Sequence, residues 1–310
     1  MSTFLIVNPH AGRGRLRRIW PRLHARLVSS LGPCETIMTS GPAEAMGLTA
    51  TALRDGASKI IAIGGDGTAN EVLNGFFESR TLIQPDAALG VISCGTGSDF
   101  ARTIGWPSDP LLQAEQLAKA RPQVTDVGLV TFPDGPSAAP DRYFLILASF
   151  GLSGRINQEV NEGRVIRFLG GQVAFIHAVL KTLIRHRPHV LRMTADGQDL
   201  GIQPLLTATV CNGRYVGGGM FMAPGASIED GLLDAVTIAH TARLRVLQSI
   251  PKLYSGRHVD MPEVDTYQVS EFRAESVNRG DVTFVETDGD IIGRLPAVFQ
   301  VVPRALQILR

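Results

Sequence analysis

Lys59-Ile60-Ile61-Ala62-Ile63-Gly64-Gly65-Asp66-Gly67-Thr68-Ala69-Asn70-Glu71 is the stretch that decides how the rest of this chain is read. Four apolar residues, Ile60 to Ile63, lack the alternation of a half-exposed strand and fit a buried parallel one. Glycines at 64, 65 and 67 follow, then a helical pattern with Val72, Leu73 and Phe76 on one face. A strand that breaks into a glycine-rich turn and feeds a helix suits a bound phosphate. Glycine lets backbone N–H groups approach closely, and the helix N-terminus adds partial positive charge. Asp66 is the unusual residue. A carboxylate beside phosphates repels them unless it holds a metal ion, a ribose hydroxyl or the proton of an attacking nucleophile, so it points to phosphoryl chemistry. Taken alone, the turn reads equally well as a tight strand–helix connection with Asp66 as a cap.

Outward from it, Thr3–Val7, Glu35–Met38 and Ala88–Ile92 read as further strands. Leu16, Ile19, Trp20, Leu23 and Leu27 sit at helical spacing, and Ala43–Leu53 forms a second helix. Strands alternating with helices predict a parallel sheet covered on both faces, with ligands at the carboxyl ends of the strands. Three turns fall there: Asn8-Pro9-His10-Ala11-Gly12-Arg13-Gly14-Arg15, the turn holding Asp66, and Ser93-Cys94-Gly95-Thr96-Gly97-Ser98-Asp99-Phe100-Ala101-Arg102. Arg13 and Arg15 lie next to the first turn, whereas Arg22 and Arg26 read as a solvated face. Pro21 predicts a kink or restart in the first helix.

Near Gln123 the pattern changes. Val124–Phe132, Tyr143–Phe150, Leu205–Val210, Ala235–Ala239, Thr266–Phe272, Val282–Val285 and Val298–Val302 follow one another as strand-like runs. They predict a mostly antiparallel β-sandwich, with Pro133–Asp141 as a hairpin loop and helical inserts at Gly163–Arg187 and Ala242–Ser255. The expected organisation is an α/β domain over residues 1–124, a β domain over 125–296, and a C-terminal segment, 297–310, apolar enough to return as strand to the first domain.

The chain has 310 residues, 44% of them hydrophobic, and a net charge of +1. That balance argues against a dedicated nucleic-acid binder. Cys34, Cys94 and Cys211 lie far apart, without metal-ligand spacing, as in a reducing cytosol. Met1 to Asn8 reads as a first strand rather than a signal peptide, and no segment has the length of an apolar membrane span. The expected location is cytoplasmic, with transient contact at the inner membrane face. A homo-oligomer is compatible with the sequence. The segment Arg164–Arg192 joins an apolar helical pattern to Arg164, Arg167, Lys181, Arg185, Arg187 and Arg192. It reads either as a core helix with cations at its C-terminal end or as an acyl-chain wall with a basic rim for anionic lipid. His177, His186 and His189 have no spacing that makes a metal site. Asp230-Gly231-Leu232-Leu233-Asp234 is either a hairpin turn or, with carboxylate and carbonyl oxygens together, a site for a hard cation such as Mg²⁺.

The three turns, with Cys211-Asn212-Gly213, Gly217-Gly218-Gly219-Met220, Ala223-Pro224-Gly225-Ala226, Asp230–Asp234 and Asp288-Gly289-Asp290, resemble the diacylglycerol kinase catalytic family nearly end to end. Within it, the chain looks like the soluble bacterial lipid kinases that also resemble sphingosine kinases. The resemblance implies a phosphofructokinase- and NAD-kinase-like nucleotide domain followed by a β-sandwich. It implies ATP between them, touching Asn8, Thr39, Gly64, Gly65, Asp66, Gly67, Thr68, Asn70 and Thr96. It implies a structural Mg²⁺ at Ser227, Asp230 and Leu232, and a catalytic carboxylate at Asp290, with Asp66 as the competing base. The implied reaction is phosphorylation of the hydroxyl of diacylglycerol, or of a sphingoid base, ceramide or another lipid alcohol. NAD kinase shares the Gly-Gly-Asp-Gly turn but is disfavoured by the 230–234 and 288–290 motifs. A non-catalytic lipid- or nucleotide-binding relative is the rival from another class. Three departures from the family pattern bear on substrate choice and rate: Cys94 stands for proline, Ser98 for asparagine and Asp290 for glutamate.

Overall fold

The central strand of the first unit is β3 (Ala57–Gly64), every residue of which from Ile60 onward is buried. In a computed structural model, which describes residues 2–95, 97–133, 140–153, 188–278 and 280–310, it pairs in parallel with β1 (Ser2–Val7) and, on its other side, with β6 (Ala88–Ser93). β2 (Cys34–Met38) extends the sheet beyond β1. β4 (Phe77–Glu78) and β5 (Thr81–Leu82) form a small separate hairpin. The helices of this unit are α1 (Arg15–Leu31), α2 (Glu44–Arg54), α3 (Asp66–Gly75), α4 (Asp99–Thr103) and α5 (Pro110–Lys119). Leu16, Leu23 and Leu27 of α1 pack with Ile61, Ile63 and Ile92, each such side chain contributing about 1.5–3 kcal/mol by leaving water. α1 runs through Pro21 without a restart. Pro21 is exposed, so water can satisfy the carbonyl that its missing N–H leaves open. α5 begins with Asp109 accepting from the Leu111 amide at 2.9 Å and Pro110 in the first turn.

The first unit comprises Met1–Asp126 and Pro303–Arg310, and the second Val127–Val302. The second is antiparallel throughout its described pairings. Its strands are β7 (Pro122–Thr131, which begins in the first unit), β8 (Arg142–Phe144), β9 (Leu147–Gly151), β10 (His189–Ala195), β11 (Gln198–Cys211), β12 (Leu233–Ala239), β13 (Val264–Val269), β14 (Glu271–Ser276), β15 (Phe284–Thr287), β16 (Asp290–Arg294) and β17 (Ala297–Leu309). The long strand β11 pairs first with β10 and then, over its second half, with β9 and β12. Phe144, Phe150, Phe272 and Phe299 fill the core, Phe150 and Phe299 stacking at 5.5 Å. The end of β17 pairs in parallel with β6 inside the first unit. α6 (Arg243–Ser255) precedes β13.

Two runs that read as single strands are each broken by a carboxylate. Between β8 and β9, the amides of Leu145, Ile146 and Leu147 donate to Asp288 at 2.9, 3.1 and 2.9 Å instead of to a neighbouring strand. Between β13 and β14, the amides of Ser270 and Glu271 donate to Asp196 Oδ1 at 3.0 and 2.8 Å. Both aspartates open two-residue Asp-Gly hairpins with positive φ at both positions, 47° and 80° at Asp196-Gly197 and 47° and 102° at Asp288-Gly289, as type I′ turns require. Arg192 lies on β10 and is exposed, so it does not belong to a basic helix. The rest of that expected helix lies outside the described residues, as does the tip of the 133–141 loop, although its flanks, β7 and β8, pair as a hairpin.

Candidate functional site

In the first unit the three turns converge, and glycine makes the convergence possible. Gly12 adopts φ +58°, and a Cβ there would stand 2.3 Å from the Cys94 carbonyl oxygen, so the first turn packs directly on the third. A Cβ on Gly95 would stand 2.9 Å from Gly65 Cα, so the third packs on the second. The parallel ladder continues past the strand ends, with Asn8 N donating to Ile63 O at 2.9 Å, Thr39 N to Val7 O at 2.8 Å and Cys94 N to Gly64 O at 2.6 Å. Asn8 Nδ2 donates to Thr68 Oγ1 at 3.1 Å, tying the first turn to the start of α3. Asn8, Thr39, Gly64, Gly65, Asp66, Gly67 and Thr68 are thereby brought to one end of the sheet. Thr96 lies outside the described residues. Asn70 is fully buried, and its side-chain oxygen accepts from Asn74 Nδ2 at 3.1 Å.

Asp66 is the first residue of α3 and is half-buried. Its two carboxylate oxygens receive the amides of Asp99 and Phe100 at 3.4 and 3.5 Å, the outer limit of a hydrogen bond. A Cβ on Gly97 would come within 2.7 Å of Asp66 Oδ2. The third turn therefore wraps the Asp66 carboxylate with backbone N–H groups, which suits an anion. Asp99 is buried and paired with Arg102 at 2.9 Å, and Arg102 also donates to the Gly97 carbonyl. Ser98 is buried at φ +54°, a left-handed conformation that asparagine tolerates better than serine. Cys94 is buried, and desolvation pushes its thiol up to about 12 despite the nearby Arg15, which favours the protonated thiol over the thiolate. Glu71, from the same motif, accepts from the amides of Ala43 and Ala45 at 3.0 and 3.1 Å and caps α2. Arg26 pairs with Glu115 across α1 and α5.

In the second unit the Asp288-Gly289-Asp290 motif separates into two roles. Asp288 is buried and consumed by the three amides of residues 145–147. Asp290 opens β16 and is exposed. The protein around its carboxyl raises its pKa, with Arg142 opposing, and its access to water limits how far that desolvation acts. In the Asp230–Asp234 turn, Asp230 Oδ1 accepts from the Leu232 amide at 3.1 Å, and Ser227 Oγ accepts from the Glu229 amide at 3.3 Å. Asp234, four residues on, has a buried Oδ2 with no hydrogen-bond partner. Its pKa is raised to about 6, first by burial and then by the Asp230 charge, with Arg214 opposing. An orphaned carboxylate oxygen beside a second carboxylate fits a divalent cation with oxygen ligands. Among the described residues there is no cluster of three or more His, Cys, Asp or Glu that could hold a metal ion. Asp234 follows Ser227, Asp230 and Leu232, the residues at which the family resemblance implies a metal.

Known proteins share the two-part organisation of this chain. Residues 2–130 match the diacylglycerol kinase catalytic domain, and residues 147–310 match the YegS C-terminal NAD kinase beta sandwich-like domain. A diacylglycerol kinase of Mycobacterium tuberculosis is 29% identical over 306 residues, covering 98% of this chain and 94% of that protein. A protein named as a probable YegS-like lipid kinase of Chromohalobacter salexigens is 31% identical over 195 residues, 63% of this chain and 58% of its own. A crystal structure of a Bacillus anthracis diacylglycerol kinase superposes with a TM-score of 0.70 at 20% identity, over 99% of this chain and 96% of that one. The chain belongs to the diacylglycerol kinase-type lipid kinase family, with an α/β catalytic domain and a YegS-type β domain. Among the described residues no helix is long and apolar enough to cross a membrane.

Proposed function

We propose that this protein is an ATP- and Mg²⁺-dependent lipid kinase that phosphorylates the hydroxyl of diacylglycerol, giving phosphatidate, or that of a related lipid alcohol. The observation that carries the reading is the convergence of three glycine turns on Asp66 at the carboxyl end of a parallel sheet. Bound ATP supplies the phosphoryl group, and Mg²⁺ offsets negative charge. The backbone amides of Gly64, Gly65 and Gly67, with Asn8, Thr39 and Thr68, hold and orient the phosphates, since glycine leaves the backbone open to them. Asp66, held by the third turn, orients the reacting groups. Asp290, whose raised pKa suits a proton acceptor, takes the hydroxyl proton. Ser227, Asp230, Leu232 and Asp234 would hold a structural Mg²⁺, which would offset the paired carboxylate charge in the 227–234 turn. The protein works at the inner membrane face, where its substrate lies.

The test is phosphate transfer from labelled ATP to a panel of diacylglycerol, sphingoid base, ceramide, monoacylglycerol and NAD, with the position of the phosphate located on the product. Label on a lipid hydroxyl supports the reading and names the acceptor. Label on NAD makes the protein a NAD kinase, and nucleotide binding without transfer to any acceptor makes it a non-catalytic relative.

A further inference from the structure

α6 is held from behind and at one end. None of its residues is buried. Val246, Leu247 and Ile250 rest on Leu152 and Leu206. At its C-terminal end the Leu253 carbonyl accepts from the Phe221 amide at 2.8 Å, and the Phe221 ring stacks on Tyr215 at 4.8 Å. Gly256 closes the helix at φ +73°, where a Cβ would stand 2.9 Å from the Phe221 ring. The other end carries Leu244, which is 67% exposed, between Arg243 and Arg245. With Met261 and Pro262, Leu244 lines an open groove of about 610 Å³ whose walls also carry Arg245, Lys252 and Asp260.

The helix carries cations and no acid. Residues 241–259 hold Arg243, Arg245, Lys252 and Arg257 and no acid. Asp260 and Glu263 follow, Glu263 pairing with Arg245 at 2.5 Å. Four cations against two acids leave this stretch at +2 in a chain of net +1. An anchored amphipathic helix with an exposed leucine among cations is the design of an interfacial lipid contact: the apolar side chain enters the acyl boundary and the cations meet lipid phosphates. We propose that α6 and the groove beside it seat the protein on an anionic membrane surface, with Leu244 as the inserted residue and Lys252 as the phosphate contact. The proposal rests on the reading of the substrate as a membrane lipid and identifies the surface that meets it.

The experiment is co-sedimentation with vesicles of phosphatidylcholine alone and of phosphatidylcholine with phosphatidylglycerol, for the parent, Leu244→Glu and Lys252→Glu. Both side chains are exposed, so thermal midpoints should hold. The parent should prefer the anionic vesicles at low salt and lose that preference at high salt. Leu244→Glu should lower the partition coefficient roughly tenfold or more, and Lys252→Glu by a smaller factor. Turnover of a soluble short-chain diacylglycerol should be unchanged by either substitution. Equal partition of parent and both variants, or no preference of the parent for anionic vesicles, overturns the proposal. Should the parent fail to phosphorylate any lipid while the vesicle results come out as expected, the docking surface stands and the kinase reading falls.

Discussion

Replacing Asp234 with asparagine should make the metal-free protein more stable and abolish its response to Mg²⁺. The Asp234 pKa is raised from 3.8 to about 6 in the folded chain. A raised carboxylate pKa means that stability is greatest below 3.8 and is lost as pH rises through about 6, because the unfolded chain ionises first. Two units correspond to about 3 kcal/mol at neutral pH. Asp234 is only half-buried, so screening by water reduces this to roughly 1–2 kcal/mol. Asparagine removes the charge at constant size. In EDTA at pH 7.5 the variant's midpoint should rise by roughly 2–8 °C, and at pH 4 parent and variant should nearly coincide. Mg²⁺ should raise the parent's midpoint at pH 7.5 and much less at pH 5, where a proton competes for the carboxylate. It should leave the variant's unchanged. Scanning calorimetry across this grid is the assay. A variant no more stable than the parent in EDTA, with the Mg²⁺ shift intact, would refute both the strained pair and the metal assignment.

Four further substitutions, at three positions, probe the candidate site. Gly97→Ala should fold, since the group it meets, Asp66 Oδ2 at 2.7 Å, is the end of a side chain, but displacing Asp66 should cut kcat on the order of a hundredfold with little change in thermal midpoint. Ser98→Asn should raise stability by about 0.5–1 kcal/mol in urea titration, because position 98 sits at φ +54°; a loss would mean that the buried pocket around Ser98 cannot take the larger side chain. Asp290→Asn should be nearly inactive and Asp290→Glu active in steady-state assays at saturating ATP. Parent-like turnover by Asp290→Asn would transfer the proton-accepting role to Asp66.

The nucleotide-side architecture was legible because its signals are local. The apolar run Ile60–Ile63, the glycines after it and the helical spacing of Val72, Leu73 and Phe76 lie within a few residues of one another, and β3, the turn and α3 form where that pattern puts them. What escaped was long-range. Asp288 takes three amides some 140 residues away, which splits an apparently single strand and leaves Asp290 the freer carboxylate of the motif. Glu71 caps a helix 26–28 residues before it, although it reads as part of a phosphate motif. β10 and the first half of β11 were missed although Asp196-Gly197 is a strong hairpin signal. Arg192 on that hairpin continues the basic pattern of the residues before it, and the preceding helix reading absorbed it. The exposed face of α6 was read as no more than a helical insert, because the amphipathic pattern does not say which neighbours will cover it.

The central claim is that the three turns hold Asp66 for phosphoryl transfer to a lipid hydroxyl. The direct measurement is the rate at which label passes from γ-labelled ATP to diacylglycerol in mixed micelles, for the parent and Asp66→Asn, with thermal midpoints recorded alongside. The account predicts labelled phosphatidate from the parent and a loss of at least about 2–3 kcal/mol in transition-state stabilisation, or roughly a hundredfold in kcat, for Asp66→Asn, the fold remaining intact. Equal rates from the two proteins would contradict it, as would an Asp66→Asn chain that unfolds and so shows the carboxylate to be structural.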